Sequence, residues 1–241
     1  MSQLSKMLEN ITSNLKKVHD EINSCLQRAE RSQNDLTLLC VSKTKPISQI
    51  IEAYNAGERH FGESYISEAK DKIPQIKEMG YKDIVWHFIG PIQSNKTKHI
   101  AELFDIVESV DRLKVAQRLS DQRPKNLPPL KVLIQVNISN EEQKSGCSYA
   151  DLDVLINEVQ NLPQLELCGL MGVAEDTADK EIIDKSFVKL HETFNSLKQK
   201  LPHFDILSIG MTHDMDLAIK EGSTEIRIGT AIFGARNYGK L

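Results

Sequence analysis

The chain has 241 residues, 40% hydrophobic and 27% charged, a size and mix that suit one barrel or one α/β domain with a substantial core. Its net charge of -4 leaves no basic excess for neutralising phosphates, which argues against nucleic acid as a partner. Cys25, Cys40, Cys147 and Cys168 stand far apart with no CxxC pair, a usage that fits reduced thiols better than a disulfide framework or a zinc site.

The N-terminus shows no apolar signal region, and no apolar run reaches membrane-spanning length. The sequons at Asn10 and Asn137 therefore lack a secretory context, and a cytoplasmic location is expected. Residues 1–29 instead place Leu4, Met7, Leu8, Ile11, Leu15, Val18, Ile22 and Leu26 at helical spacing, opposite a face of mixed charge. That pattern predicts a helix packed on a core rather than on a membrane.

Short apolar runs then alternate with helix-like stretches. The strand candidates, in order, are TLLCVSK, RHFGES, IVWHFIG, FDIVESV, LKVLIQVNIS, LELCGLMGV, FDILSIGM and EIRIGTAIFG. Several are continuously apolar, as in parallel sheets covered on both faces. Helix ends are readable between them: Pro46 opens one that Gly57 closes, Ser148 with Asp151 caps another, and Thr212 caps one ending near Gly222. The alternation predicts a single (β/α)8 TIM-type barrel over residues 1–241 with an extra N-terminal helix. A doubly wound open sheet is the alternative, since pattern does not reveal strand order. RPKNLPP at 123–129 is too short for a domain linker.

In such barrels the chemistry sits at the C-terminal strand ends. The first strand ends in Lys43 and Lys45, and Pro46 makes a shared face for the two lysines doubtful. Withdrawn from water, Lys43 would present the neutral amine that attacks an aldehyde; the plainer reading is an exposed strand-end lysine. The seventh and eighth strands end in Ser208, Gly210 and Thr212 and in Gly229 and Thr230, small and hydroxyl residues suited to an anion at the barrel rim. The plainer reading there is tight corners. Arg227 lies between Ile226 and Ile228, so it should point into the barrel, toward a ligand or an internal salt bridge with Glu63 or Glu108. His87, between Trp86 and Phe88, reads as a hydrogen-bonded core histidine. The histidines show no HxxxH or HxH spacing, and Gly229–Gly234 lacks the Lys-Ser/Thr of a P-loop, so no metal and no P-loop are predicted.

With these residues assembled, the chain resembles the pyridoxal-phosphate homeostasis protein family, single-domain relatives of the alanine racemase barrel. The resemblance runs in order through VSKTKP, HFGESY, WHFIGPIQSNK, NISNEEQKSG, GLMG, LSIGM with THDM, and GSTEIRIGTAIFGARNYGK. It implies a fold-type III barrel that binds pyridoxal 5'-phosphate (PLP), with Lys43 forming the internal aldimine. It further implies Arg227 at the pyridine nitrogen and Ser208, Gly210, Thr212, Gly229 and Thr230 around the phosphate. Ser64 replaces a common asparagine, His213 an acidic or small residue, Ile209 a methionine and Ala174 a proline; none removes a proposed cofactor anchor.

The resemblance also separates carrier from enzyme. A permanently charged arginine leaves the ring nitrogen an acceptor and weakens the electron sink. Racemisation needs a second acid/base group, which in the racemases a partner chain bearing a C-terminal β-domain supplies; this chain stops soon after IFGAR, with Tyr65 the nearest substitute. The expectation is a monomeric PLP-holding protein of intracellular vitamin B6 homeostasis, passing cofactor to apo-enzymes, with a racemase-like enzyme as the alternative. A Schiff-base aldolase-type barrel acting on a sugar phosphate is a third reading. Lys144 and Lys240 are recurrent family lysines, either surface residues or transient second aldimine sites during hand-off.

Overall fold

The computed structural model describes residues 3–139, 141 and 144–235, with side chains from residue 11 onward. Eight parallel strands close into one barrel in sequence order. They are β1 (Thr37–Val41), β2 (His60–Glu63), β3 (Val85–Phe88), β4 (Ile106–Val110), β5 (Leu130–Val136), β6 (Leu165–Gly172), β7 (Ile206–Ser208) and β8 (Glu225–Ile228). Pairing of β1 with β8 completes the ring and excludes the doubly wound alternative. Around it run α2 (Ile47–Asn55), α3 (Ile66–Glu78), α4 (Thr97–Leu103), α5 (Leu113–Gln122), α6 (Tyr149–Gln160), α7 (Lys180–Lys198), α8 (Met215–Lys220) and α9 (Thr230–Phe233).

Strand alternation divides the side chains between two regions. Leu38, Cys40, Phe61, Trp86, Phe88, Ile226 and Ile228 face outward into one core shared with the helices. Arg227 is register partner to Leu39, and both point inward, as the flanking isoleucines predict. The extra helix α1 (Gln3–Arg28) buries Ile11, Leu15, Val18, Ile22 and Leu26 at three- and four-residue spacing. Each such side chain contributes about 1.5–3 kcal/mol when fully buried. This helix lies across α2, α8 and α9, and Asn14 Nδ2 donates to Ile232 O at 3.0 Å. Leu4, Met7 and Leu8 fall outside the described side chains.

Local signals behave unevenly. Pro46 stands at the N-cap of α2, and Gly57 follows its end at φ 114. Ser148 caps α6 by accepting from Asp151 N at 3.1 Å. Thr212 does not cap α8: Asp214 holds that position, and its carboxylate accepts from Met211 N instead. EIRIGTAIFG is not one strand either. After Ile228 the chain turns helical, with Ile232 N and Phe233 N both donating to Gly229 O, so closure of the rim overrides the β propensity of Thr-Ala-Ile-Phe.

Candidate functional site

At the C-terminal mouth of the barrel lies a cavity of about 430 Å3. Lys43, Arg227, Thr212, Gly229 and Thr230 all line it, joined by Lys45, His213, Val41 and Ile89. A larger groove of about 790 Å3 runs between α1 and α2, but its lining brings together no comparable set of cation, amine and rim hydroxyls.

Lys43 is half-buried in the turn that follows β1. The turn is built rather than loose. Ser42 is fully buried, and its Oγ donates to Glu63 Oε1 at 2.7 Å. Thr44 adopts φ 65, a left-handed conformation uncommon for a β-branched residue, and its N–H donates to Glu68 Oε2 at 2.8 Å. Lys72 binds the same Glu68 oxygen at 2.8 Å, and lies 3.3 Å from both Glu63 Oε1 and Ser42 O. Burial raises the Glu63 carboxyl pKa, opposed by Lys72 and the Ser42 hydroxyl. Three residues of β2 and α3 thus fix the backbone from which Lys43 projects.

Lys45 reaches the cavity although β1 ends at Val41. Between the two lysines the backbone takes the left-handed step at Thr44 rather than continuing as a strand. Lys45 is buried, and its Nζ donates to Phe233 O, Gly234 O and Ala235 O at 2.9, 3.0 and 2.8 Å. It therefore clamps the C-terminal end of α9, where carbonyls lack helical partners.

Gly229 permits close contact between rim and strand: a Cβ there would lie 3.3 Å from both Val41 Cβ and Val41 O. Gly210 has φ 100, and a Cβ on it would stand 2.5 Å from Ala218 Cβ. Ser208 and Gly210 do not line the cavity. Gly210 O accepts from Arg227 N, and Ser208 lies fully buried beneath the guanidinium. Arg227 Nη1 donates to Ser208 O and Oγ at 2.8 Å each, while Nη2 donates to Gly172 O at 2.8 Å.

The internal salt bridge considered for Arg227 is therefore indirect. Ser208 Oγ donates to Glu108 Oε2 at 2.6 Å, and Glu108 Oε1 lies 2.8 Å from His87 Nδ1. His87 Nε2 in turn lies 3.0 Å from His60 Nδ1. His87 is a core histidine, as its apolar neighbours suggested. Burial opposes its charge, yet Glu225 and Glu108 hold its pKa above the ordinary value. Burial and His87 push His60 down to about 4. Against the cost of burial, His87, Arg227 and the Ser208 hydroxyl keep Glu108 below the usual carboxylate value. Burial and Glu108 push Glu225 up to about 8. A ring nitrogen of His87 and carboxylate oxygens of Glu108 and Glu225 fall within 4.8 Å of one another, a grouping that linear spacing could not show. Glu108 and Glu225 each stand as a carboxylate within a buried strand, a sequence signal that marks this network.

Two further expected positions lie away from the cavity. Tyr65 is exposed on the neighbouring rim and lines a separate hollow with Lys70, Gln93 and His99. Lys144 pairs with Glu141 at 3.0 Å and lies 3.4 Å from Ala174 O. Lys240 lies outside the described residues.

Comparison with known proteins gives this geometry a lineage. The family model "Alanine racemase, N-terminal domain" matches residues 13–237. A relative from Escherichia coli named pyridoxal phosphate homeostasis protein is 49% identical over 233 residues, covering 97% of this chain and 100% of the relative. The chain belongs to the pyridoxal phosphate homeostasis protein family. Among solved structures, this homeostasis-family chain is similar to PipY of Synechococcus elongatus with PLP bound, at 31% identity and a TM-score of 0.80. That match covers 93% of this chain and 100% of PipY. Alanine racemase from Corynebacterium glutamicum shares the fold alone, with 15% identity, a TM-score of 0.64 and coverage of 97% of this chain and 62% of the racemase.

Proposed function

We propose that this protein holds pyridoxal 5'-phosphate at the barrel mouth through Lys43 and serves to keep and pass on the cofactor. The reading rests on one observation: the Lys43 amine, the Arg227 guanidinium and the rim residues Thr212, Gly229 and Thr230 converge on a single 430 Å3 cavity. The chemistry of this donor set fits the group. An amine suits its aldehyde, hydroxyls and a glycine-opened rim suit its phosphate, and a guanidinium suits its ring nitrogen. When bound, pyridoxal phosphate supplies a reactive aldehyde on an electron-withdrawing ring.

The residues of this chain favour holding over turnover. Arg227 has no acceptor and keeps its proton, so it donates toward the ring nitrogen without protonating it. Its orientation is set by three hydrogen bonds from below. Lys43 is the reacting amine, and the Glu63–Lys72–Glu68 clamp behind its turn presents it. Ser208 and Gly210 act beneath the cavity, supporting Arg227 rather than touching the phosphate. Recipient apo-enzymes and a monomeric state belong to the same proposal. Among the described residues no helix is long and apolar enough to cross a membrane.

The test is a visible spectrum of the purified protein beside Lys43→Ala. Wild type should be yellow, and borohydride reduction should fix a pyridoxyl mass at Lys43. The variant should be colourless after the same exposure to cofactor. A colourless wild type that borohydride traps only with a sugar phosphate would favour the aldolase reading. Steady Lys43-dependent interconversion of D- and L-amino acids would favour the racemase reading, with His213 on the cavity wall the first side chain to replace.

A further inference from the structure

The polar side chains under Arg227 run through the whole barrel. Beyond Ser208, Glu108 and His87 they reach His60, which with His87 and Glu225 lines a recess of about 470 Å3 at the opposite, N-terminal end. Arg31, Asp35, Lys198 and Asp205 surround that recess. None of these residues touches the cavity that holds Lys43. A barrel interior is ordinarily filled with apolar layers, and burying ionisable groups there is costly unless each finds a partner. Glu225 is the anomaly. It is 2% exposed, its Oε1 has no hydrogen-bond partner among the described residues, and its Oε2 lies 3.7 Å from His87 Nδ1.

We propose that Glu108 is the positioning residue that orients Arg227 through Ser208, and that protons exchanged at Glu225 and His87 from the N-terminal recess are sensed at the cofactor site through Arg227. The inference rests on the proposed pyridoxal phosphate site. The groups facing Glu225 can be named strand by strand. His60 comes from β2, His87 from β3, Glu108 from β4 and Arg227 from β8, while β7 gives the neutral Ser208. The charge of Lys131 at the start of β5 also reaches His60. On β1 the register partner of Glu225 is the neutral Thr37, and on β6 Met171 stands level with Ser208, clustered with Cys168, whose thiol burial pushes up to about 12 and so keeps neutral.

The sign follows from these charges. Below the Glu225 value of about 8 its carboxyl is neutral, and the carboxylates facing Arg227 are Glu108 from beneath and Asp214 from the loop before α8. Above it a second negative charge stands beneath the guanidinium and opposes an anionic ligand at the mouth. The cofactor phosphate and Lys43 titrate as well, but they do so equally in a variant that differs only at residue 225.

The experiment titrates wild type and Glu225→Gln with pyridoxal phosphate at pH 7 and pH 9, reading Kd from absorbance. Wild type should lose affinity between the two by about fivefold more than the variant, the low end of coupling between linked sites. Parallel losses overturn the proposal. A second measurement needs no variant. Because coupling is reciprocal, ligand binding to wild type should raise the pH at which the His87 ring titrates by NMR, by about 0.7 of a unit for a fivefold effect. An unmoved His87 in the loaded protein overturns the proposal equally. Failure of pyridoxal phosphate to bind either protein is visible in the first titration and sinks the Lys43 reading itself.

Discussion

Two lysines two positions apart, Lys43 and Lys45, do different work. Lys43 lines the cavity and is the amine of the proposed cofactor site, whereas Lys45 donates to three carbonyls at the end of α9. Removing that ammonium leaves buried acceptors unmet, so Lys45→Met should destabilise the fold by about 3 kcal/mol, read as a lowered urea midpoint. A loss below about 0.5 kcal/mol would mean that water replaces the clamp. The position of Lys43 was legible because a cation ended a buried apolar run. The role of Lys45 was not, since alternation gives the two lysines a common face only if the strand continues, and Pro46 argued against that; in the structure β1 ends at Val41 and Thr44 takes a left-handed step instead. Arg227 was legible as an inward residue from its isoleucine neighbours. Glu108 was one of two carboxylates named for it, but the link through Ser208 and the bond to Gly172 O were not legible, because they join residues far apart in the chain.

The elements follow the same division. All eight strands fall within the runs read from the sequence, but their ends were set by tertiary contacts: β8 stops at Ile228, and from Thr230 the chain winds into α9. The turn after β1 shows why local pattern is insufficient. Its shape depends on Glu68 and Lys72 of α3, which hold Thr44 N and Ser42 O. Glu68→Ala should therefore leave the barrel folded and slow the capture of pyridoxal phosphate by about tenfold, since small misplacement of a reacting group is expensive. Stopped-flow absorbance measures that rate directly. A rate equal to wild type would show that Lys43 is aimed by its own side chain rather than by the clamp.

For the molecule as a whole, the buried carboxyls set the pH dependence of stability. Folded Glu225 keeps its proton up to about 8, whereas an unfolded glutamate releases it near 4.5. Between those values the folded state binds more protons, so stability falls as pH rises, and above them this contribution is flat. Glu108 works the other way, withdrawing stability as pH falls through the acid range, because its folded value is lowered. The Tm of Glu225→Gln should consequently decline less than that of wild type from pH 5.5 to 8; parallel declines would mean that Glu225 is already charged in the native protein. Barrel closure has a consequence of its own. The apolar stripe of α1 is synthesised well before two of the helices it covers, α8 and α9. On the ribosome that stripe waits incompletely covered until β8 arrives to meet β1, an interval in which a chaperone would find its binding surface.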